Sequence, residues 1–355
     1  MTNAEIPMEK KSLITDNFIR DIKAGLANVE IRHKYGISQK ELNKKLKELL
    51  LKGEITRPDL DSRKDYFFKT IRKLAIIAMF SDDDLMDRLV LKGGNALDII
   101  YRLNFRSSID LDFSMDGEFS PDEIDNIKSK VEKCLAETFR PEGYVVFDVT
   151  FAEKPHKISA DMTPFWGGYL IEFKIIGKAK HSDLTHELDA MRKQSEAVDP
   201  YDRKKFQIEI SKFEYCGRKL EQELDNYTIY VYSPELIVVE KIRSICQQMP
   251  DYRMIVKSQS QSPRPKDFCD IYFIMKCLNV DLTSDSILDL VKGSFTAKKV
   301  PFELIPKIIE YRNFHSQAFD GVMDTVYARN DLKDFDFYFD YVVGESEKLK
   351  PLWEE

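Results

Sequence analysis

Residues 91–113, LKGGNALDIIYRLNFRSSIDLDF, constrain the fold of this chain more than any other stretch. Leu89, Val90 and Leu91 form a short apolar run of the kind a buried strand carries. Gly93 and Gly94 follow at once, where a tight turn needs backbone freedom. Ala96, Leu97, Ile99 and Ile100 then recur at helical spacing. Ile109 to Phe113 alternates apolar with acidic, and in a strand side chains two apart share a face. Asp110 and Asp112 therefore point one way, and Ile109, Leu111 and Phe113 point the other way, into a core. Two neighbouring carboxylates repel unless a cation neutralises them. Hard oxygen ligands of this kind suit Mg²⁺, which takes one or two carboxylates and completes its shell with substrate phosphates. The Gly-Gly turn opens a helix, whose free N–H groups welcome a phosphate. A D-x-D by itself is commonly a solvated strand face. The ordered set of strand, Gly-Gly turn, helix and acidic strand is what points to chemistry.

That ordered set resembles the nucleotidyltransferase fold of the DNA polymerase beta superfamily. The expected fold class is α+β: a nucleotidyltransferase-like mixed sheet with flanking helices, an all-helical C-terminal half, and a small helical module in front. At 355 residues the chain has room for two or three domains. We expect a helix-turn-helix-like module over 1–60, a catalytic domain over 61–232 and a helical domain over 233–355. A net charge of −7 gives no global signature of nucleic-acid binding, although local patches can exist. Five scattered cysteines form no CxxC pair or Cys/His cluster, so neither a zinc site nor a disulfide framework is indicated. Free thiols fit a reducing cytoplasm. The N-terminal MTNAEIPMEKK has no signal-peptide apolar stretch, and no run is long enough for a membrane span.

Residues 13–57 read as three helices. Phe18, Ile19 and Ile22 share a face of the first. Val29 to Tyr35 is the second, ended by Gly36. Ser38, with Glu41 three residues on, forms a capping-box pattern for the third, which runs through Leu42, Leu46, Leu49 and Leu50 to Gly53. Helix, short turn and helix at this spacing predict a helix-turn-helix. Residues 9–57 hold twelve Lys and Arg against seven Asp and Glu, with Lys40, Lys44, Lys45 and Lys47 on the third helix. The module thus reads either as a DNA contact or as a packing and partner-docking unit. Pro58 to Lys64 reads as a polar connector, Tyr66 to Phe80 as an apolar helix and 120–138 as another. Strands are expected over 144–151, 169–176, 206–213 and 228–232, with a charged excursion over 178–205. From Ser233 onward the pattern is helical.

Two-metal nucleotidyl transfer commonly needs a third carboxylate. Glu209 in FQIEIS and Glu172 in YLIEFKI both sit alone in apolar strands. Glu209 is preferred because its strand comes later, just before the helical half, but the alternative stays open. In that half, Ser233-Pro234-Glu235 opens a helix carrying Glu240, Lys241 and Arg243. Lys241 suits a triphosphate as a mobile point charge, and its alternative is a surface lysine paired with an acid. Asp267 and Asp270, three apart, share a helix face.

Together these residues resemble the AbiEii/AbiGii-type nucleotidyltransferases, the toxin half of type IV toxin–antitoxin and abortive-infection systems. The family motif K-G-G-[TS]-A-L, a helix, then R-x-S-x-D-[IL]-D stands here as Lys92-Gly93-Gly94-Asn95-Ala96-Leu97, then Arg106, Ser108, Asp110, Leu111 and Asp112. The strand K-[LI]-[DE]-[IV] matches Gln207-Ile208-Glu209-Ile210. The motifs E-K-[LI]-x-A and R-D-x-x-D-[IL] match Glu240 to Ser244 and Lys266 to Ile271. The resemblance covers about 66–345. Asn95, Gln207, Lys266 and Ser244 depart from the pattern, and Asn95 retains a donor for phosphate. The resemblance implies an Mg²⁺-dependent transferase in which Asp110, Asp112 and Glu209 hold metal, with Glu209 also a candidate base. Gly93, Gly94, Ser108 and Lys241 would hold the nucleoside triphosphate, and Asp267 would support the catalytic set. The implied partners are an RNA acceptor, a tRNA end among the candidates, or a protein hydroxyl, together with a cognate antitoxin. The contrasting reading is a nucleotide-sensing or DNA-binding regulator with a silent core.

Overall fold

The structure, a computed structural model, describes residues 8–24, 26, 28–37, 39–103, 110–157, 159, 160, 162–184, 187–198, 203–257, 260–323 and 332–354. Ser38, Arg106 and Ser108, each assigned a part from sequence, lie outside the described residues. The chain divides into two compact units. One comprises Met1–Ala75, Ala136–Phe147 and Lys174–Lys205, the other Ile76–Leu135, Asp148–Phe173 and Phe206–Glu355.

The first unit begins with helices α1 (Met8–Lys23), α2 (Asn28–Tyr35) and α3 (Gln39–Leu51). Their apolar spacing buries Phe18, Ile22, Ile31, Leu42 and Leu49, with Ile55 closing the cluster. Gly36 ends α2 in the left-handed region at φ +62, which a glycine adopts without a Cβ clash. Inside the module, Tyr35 Oη donates to Asp21 Oδ2 at 2.5 Å and Lys34 pairs with the same carboxylate at 2.8 Å. Lys45 lies over the Phe18 ring at 4.5 Å, so this lysine packs against its own module. Helix α4 runs Arg57–Phe80. The polar segment 58–64 is thus its first turns rather than a connector. Pro58 suits that place because the first helical positions need no N–H donor. The excursion 178–205 carries two short helices, Lys178–Asp183 and Leu188–Gln194.

Among the described residues seven strands form a mixed sheet, which confirms the α+β expectation. They are β1 (Val90–Lys92), β2 (Leu111–Ser114), β3 (Tyr144–Lys154), β4 (Gly168–Gly177), β5 (Phe206–Ser211), β6 (Lys219–Leu224) and β7 (Tyr227–Tyr232), in the order β3-β4-β5-β2-β1-β7-β6. β1 runs antiparallel to β2 and parallel to β7, and β2 runs parallel to β5. β5 alternates buried Phe206, Ile208 and Ile210 with more open Gln207, Glu209 and Ser211, the period-2 pattern of a strand with one face in the core. β6 has no counterpart in the sequence reading. Its KLEQEL is polar because it is an edge strand, joined to β7 through Asp225 and Asn226, both at positive φ as a tight hairpin turn requires.

The helices after Ser233 belong to the same unit as the acidic strands. Ser233 caps helix Pro234–Cys246 by accepting from the Leu236 N–H at 3.2 Å. Nearly every apolar residue of that helix is buried, because Pro265–Leu278 and Asp285–Ala297 pack on it. Helix Phe335–Ser346 packs in turn on Pro265–Leu278, where Phe339 stacks on Phe268 at 5.2 Å. Among the described residues no helix is long and apolar enough to cross a membrane, and all five cysteines are free.

Candidate active site

Three backbone registers assemble the site. Lys92, the last residue of β1, is the cross-strand partner of Asp112 on β2. Asp112 is in turn the partner of Glu209 on β5. Cross-strand partners present their side chains to the same face of a sheet, so one cation and two carboxylates form a row across three strands. Asp110, exposed, stands just before β2. Glu172 sits one strand further out. Its register partner is Gln207, whose Nε2 donates to Glu172 Oε1 at 2.9 Å.

The turn after β1 brings its backbone against this row. Gly93 has φ +69, and a Cβ there would lie 2.8 Å from Asp112 Oδ2. Only glycine meets both conditions without displacing the carboxylate. The short helical turn Gly93–Asn95 widens into a π turn over Ala96–Ile100, closed by the Tyr101 N–H on the Ala96 carbonyl at 3.0 Å. Such wide turns recur at functional sites. Asn95 is fully buried, and its Nδ2 donates to the Asp110 carbonyl oxygen at 2.5 Å. The expectation that Asn95 serves a phosphate is corrected: its amide anchors the entry to the acidic strand.

Electrostatics separate the acids. Desolvation pushes the Asp112 carboxyl up to about 6; Lys92 opposes this, and Glu209, Asp110 and Glu240 add to it. Lys92 is buried, which disfavours its charge, but Glu214 and Glu240, each at 3.6 Å, outweigh burial and keep it protonated. Glu209 is ion-paired with Lys154 at 2.6 Å in a half-exposed setting. Lys241, by contrast, is not the mobile surface cation its sequence setting suggests. It is 5 % exposed and donates to Asp267 Oδ1 at 2.9 Å and to Asp270 Oδ2 at 2.6 Å. Burial works against the Asp267 anion, yet Arg264 and Lys241 hold its carboxyl well below the usual carboxylate range.

These residues open onto a cavity of about 510 Å³. Gly93, Gly94, Asp112, Lys241 and Asp267 line it, five of the sequence-assigned residues on one wall system. Lys92, Glu240, Arg264 and Lys266 complete its charged lining. Glu209 lines an adjoining cavity instead. Lys92 and Glu240 carry the site's electrostatics without having been assigned a role from sequence. Their signal in the sequence was their place as the first residues of the K-G-G and E-K motifs, which gave position but no role.

Among the described residues, no three acidic, histidine or cysteine side chains converge into a closed metal cage. The donor set nevertheless fits Mg²⁺. Burial, with the charges of Glu209, Asp110 and Glu240 adding to it, disfavours the Asp112 carboxylate beyond what Lys92 offsets, and a cation would relieve both. Mg²⁺ asks for one or two carboxylates, with water and substrate phosphate as further ligands, and not for an all-protein cage.

A mixed sheet with an acidic row beside a Gly-Gly turn, facing a helical half across a polar cavity, defines a nucleotidyltransferase. The model of the AbiEii nucleotidyl transferase toxin family, of type IV toxin–antitoxin systems, matches residues 75–341. The chain belongs to that family. Among solved structures, it is similar to JHP933 from Helicobacter pylori, at 14% identity over 82% of this chain and 94% of that one, with a TM-score of 0.42. It is similar also to MenT4, a nucleotidyltransferase toxin from Mycobacterium tuberculosis, at 14% identity over 81% of this chain and 84% of that one, with a TM-score of 0.37. No curated protein matches the chain.

Proposed function

We propose that this nucleotidyltransferase is an Mg²⁺-dependent toxin that moves a nucleotide from a nucleoside triphosphate to an RNA hydroxyl. The observation that carries the reading is the row Lys92, Asp112 and Glu209, set by strand register against the Gly93 turn. In this reading Asp110, Asp112 and Glu209 are the metal-holding acids, and the register between Asp112 and Glu209 favours Glu209 over Glu172. Bound Mg²⁺ would neutralise charge on the reacting phosphates. The backbone of Gly93 and Gly94 receives phosphate at the helical turn. Lys92, Lys266 and Arg264 supply positive charge along the cavity, and Lys241 holds Asp267 and Asp270 in place beside it. The acceptor oxygen bonds the α-phosphorus, and the bond from the α-phosphorus to the bridging oxygen breaks. Pyrophosphate leaves with that electron pair, and the hydroxyl proton passes to Glu209.

Residues 61–232 would carry the chemistry and 233–355 close the cavity, with the helical module over 1–60 either a nucleic-acid contact or a partner-docking unit. Membership of a toxin–antitoxin family implies a cognate antitoxin that restrains the enzyme. The test is incubation with each labelled nucleoside triphosphate, Mg²⁺ and total cell RNA. Label should enter RNA with wild-type protein and metal, and not with Asp112→Asn or with a chelator. Label in protein instead would replace RNA as the acceptor.

A further inference from the structure

Beside the cavity already described lies a second one of about 330 Å³, and the two share Lys92, Ser211, Glu240 and Arg264 as a dividing wall. Asp112 borders the first, and Glu209, its register partner, borders the second. In-line phosphoryl transfer places the attacking oxygen and the leaving group on opposite sides of the phosphorus. Two cavities flanking one acidic row supply those two sides. We infer that the second cavity seats the acceptor, a single-stranded RNA end, with a backbone phosphate among its cations and a base against Trp166. The inference rests on the proposed transfer to RNA.

The second cavity has the chemistry for this. Lys92, Lys154, Arg243, Arg264 and Lys298 line it, against Glu209, Glu214 and Glu240, five basic groups to three acidic. Lys92, Arg243 and Lys298 are buried, while Lys154 and Arg264 are partly exposed. Arg243 donates from Nη1 to Glu214 at 2.8 Å and the Ser294 carbonyl at 3.2 Å and from Nη2 to Glu240 at 3.5 Å, while its buried Nε has no partner among the described residues. Lys298 donates to the carbonyls of Lys212 at 2.5 Å and Phe165 at 3.3 Å and pairs with Glu214 at 3.4 Å. Burial drives the Lys298 amine down to about 8; Glu214 opposes this, and Arg243 and Lys92 add to it. Half-buried Trp166 adds a flat apolar face, and Lys298 stands 5.7 Å from its ring centre. Cations beside an aromatic platform are what a single strand needs for phosphate and base together. The volume falls in the ~300–1,000 Å³ range of small-ligand pockets, enough for one nucleotide unit rather than a duplex.

The test uses full-length protein and a labelled hexaribonucleotide of mixed sequence with a free 3′-hydroxyl. Trp166→Ala and Lys154→Gln should each weaken its binding, measured by anisotropy without nucleoside triphosphate, by about tenfold or more. They should raise the KM for RNA similarly, while nucleoside triphosphate affinity stays at the wild-type value. Trp166→Phe should restore most of the binding, which a merely structural role would not predict. Lys154 is half-exposed, so its variant stays folded and keeps the test valid if Trp166→Ala does not. Wild-type RNA binding in both variants overturns the inference and leaves the proposed transfer standing. Loss of nucleoside triphosphate binding instead assigns the cavity to the donor and also overturns it. If wild-type protein labels no RNA, the proposed transfer fails, and the anisotropy alone decides whether the cavity seats RNA.

Discussion

Asp112 bears a charge that its surroundings resist, and this makes it separable from the fold. Asparagine keeps its shape and removes the repulsion from Glu209 and Asp110. Asp112→Asn should therefore melt at or above the wild-type temperature while nucleotide transfer falls by about 10² or more, as loss of the proposed metal ligand demands. A melting curve and a labelled transfer assay check both halves. Lys241 behaves in the opposite way. Its removal strips a cation from between Asp267 and Asp270, both buried. Breaking a buried pair from one side costs ~3–5 kcal/mol. Lys241→Ala should lower the urea midpoint accordingly and lose activity through destabilisation, and an unchanged midpoint would show the pair to be dispensable. Lys241 was legible as important but not as buried, because E-K-I-R-S looks the same on a surface helix and at the centre of a helical cluster.

The element that most narrowly limits substitution is the turn between β1 and the helical segment that follows it. Gly93→Ala would strain a left-handed backbone and drive a Cβ to 2.8 Å from Asp112 Oδ2. The carboxylate must shift, so transfer should drop steeply with only a modest change in thermal stability, read from the same two assays. The three-helix module asks a different question. Lys44 is exposed on α3, whereas Lys45 covers Phe18. If the module contacts nucleic acid, Lys44→Ala with Lys47→Ala should weaken binding and flatten its salt dependence through fewer released counterions. Titrations against duplex DNA and tRNA at several salt concentrations measure this. Identical slopes for variant and wild type would leave the module as a docking unit. The helices of this module were readable because their apolar spacing and Gly36 stop are local. Helix α4 was read too short because its charged first turns, 58–64, carry no apolar periodicity, and Pro58 looks alike in a linker and in a first turn.

For the whole molecule, the buried charge cluster around Glu214 sets a pH signature. Lys298 titrates near 8 when folded and near 10.5 when free. Between those values the unfolded chain holds a proton that the folded chain has lost. Stability from this group therefore rises with pH across that window, by about 1.4 kcal/mol per unit of difference at most. Subtracting the profile of Lys298→Met from that of the wild type isolates the contribution. The difference should climb from pH 8 to 10, and a flat difference would mean that Lys298 stays charged.

What the sequence determined by itself is what depends on neighbours along the chain. The strand, Gly-Gly turn, helix and D-x-D order, the alternation in FQIEIS and the capped start at Ser233 are local patterns, and each stands in the structure close to where its periodicity puts it. The choice between Glu209 and Glu172 depends instead on which strand lies beside β2. Sheet order β4-β5-β2 favours Glu209 through pairings almost 100 residues apart in the chain, with Asp112 beside Glu209 and Glu172 a strand away. The burial of Lys241 and the row that Lys92 forms with Asp112 have the same origin. Charge, register and burial at those positions are set by what arrives from elsewhere in the chain, and only the tertiary structure could decide them.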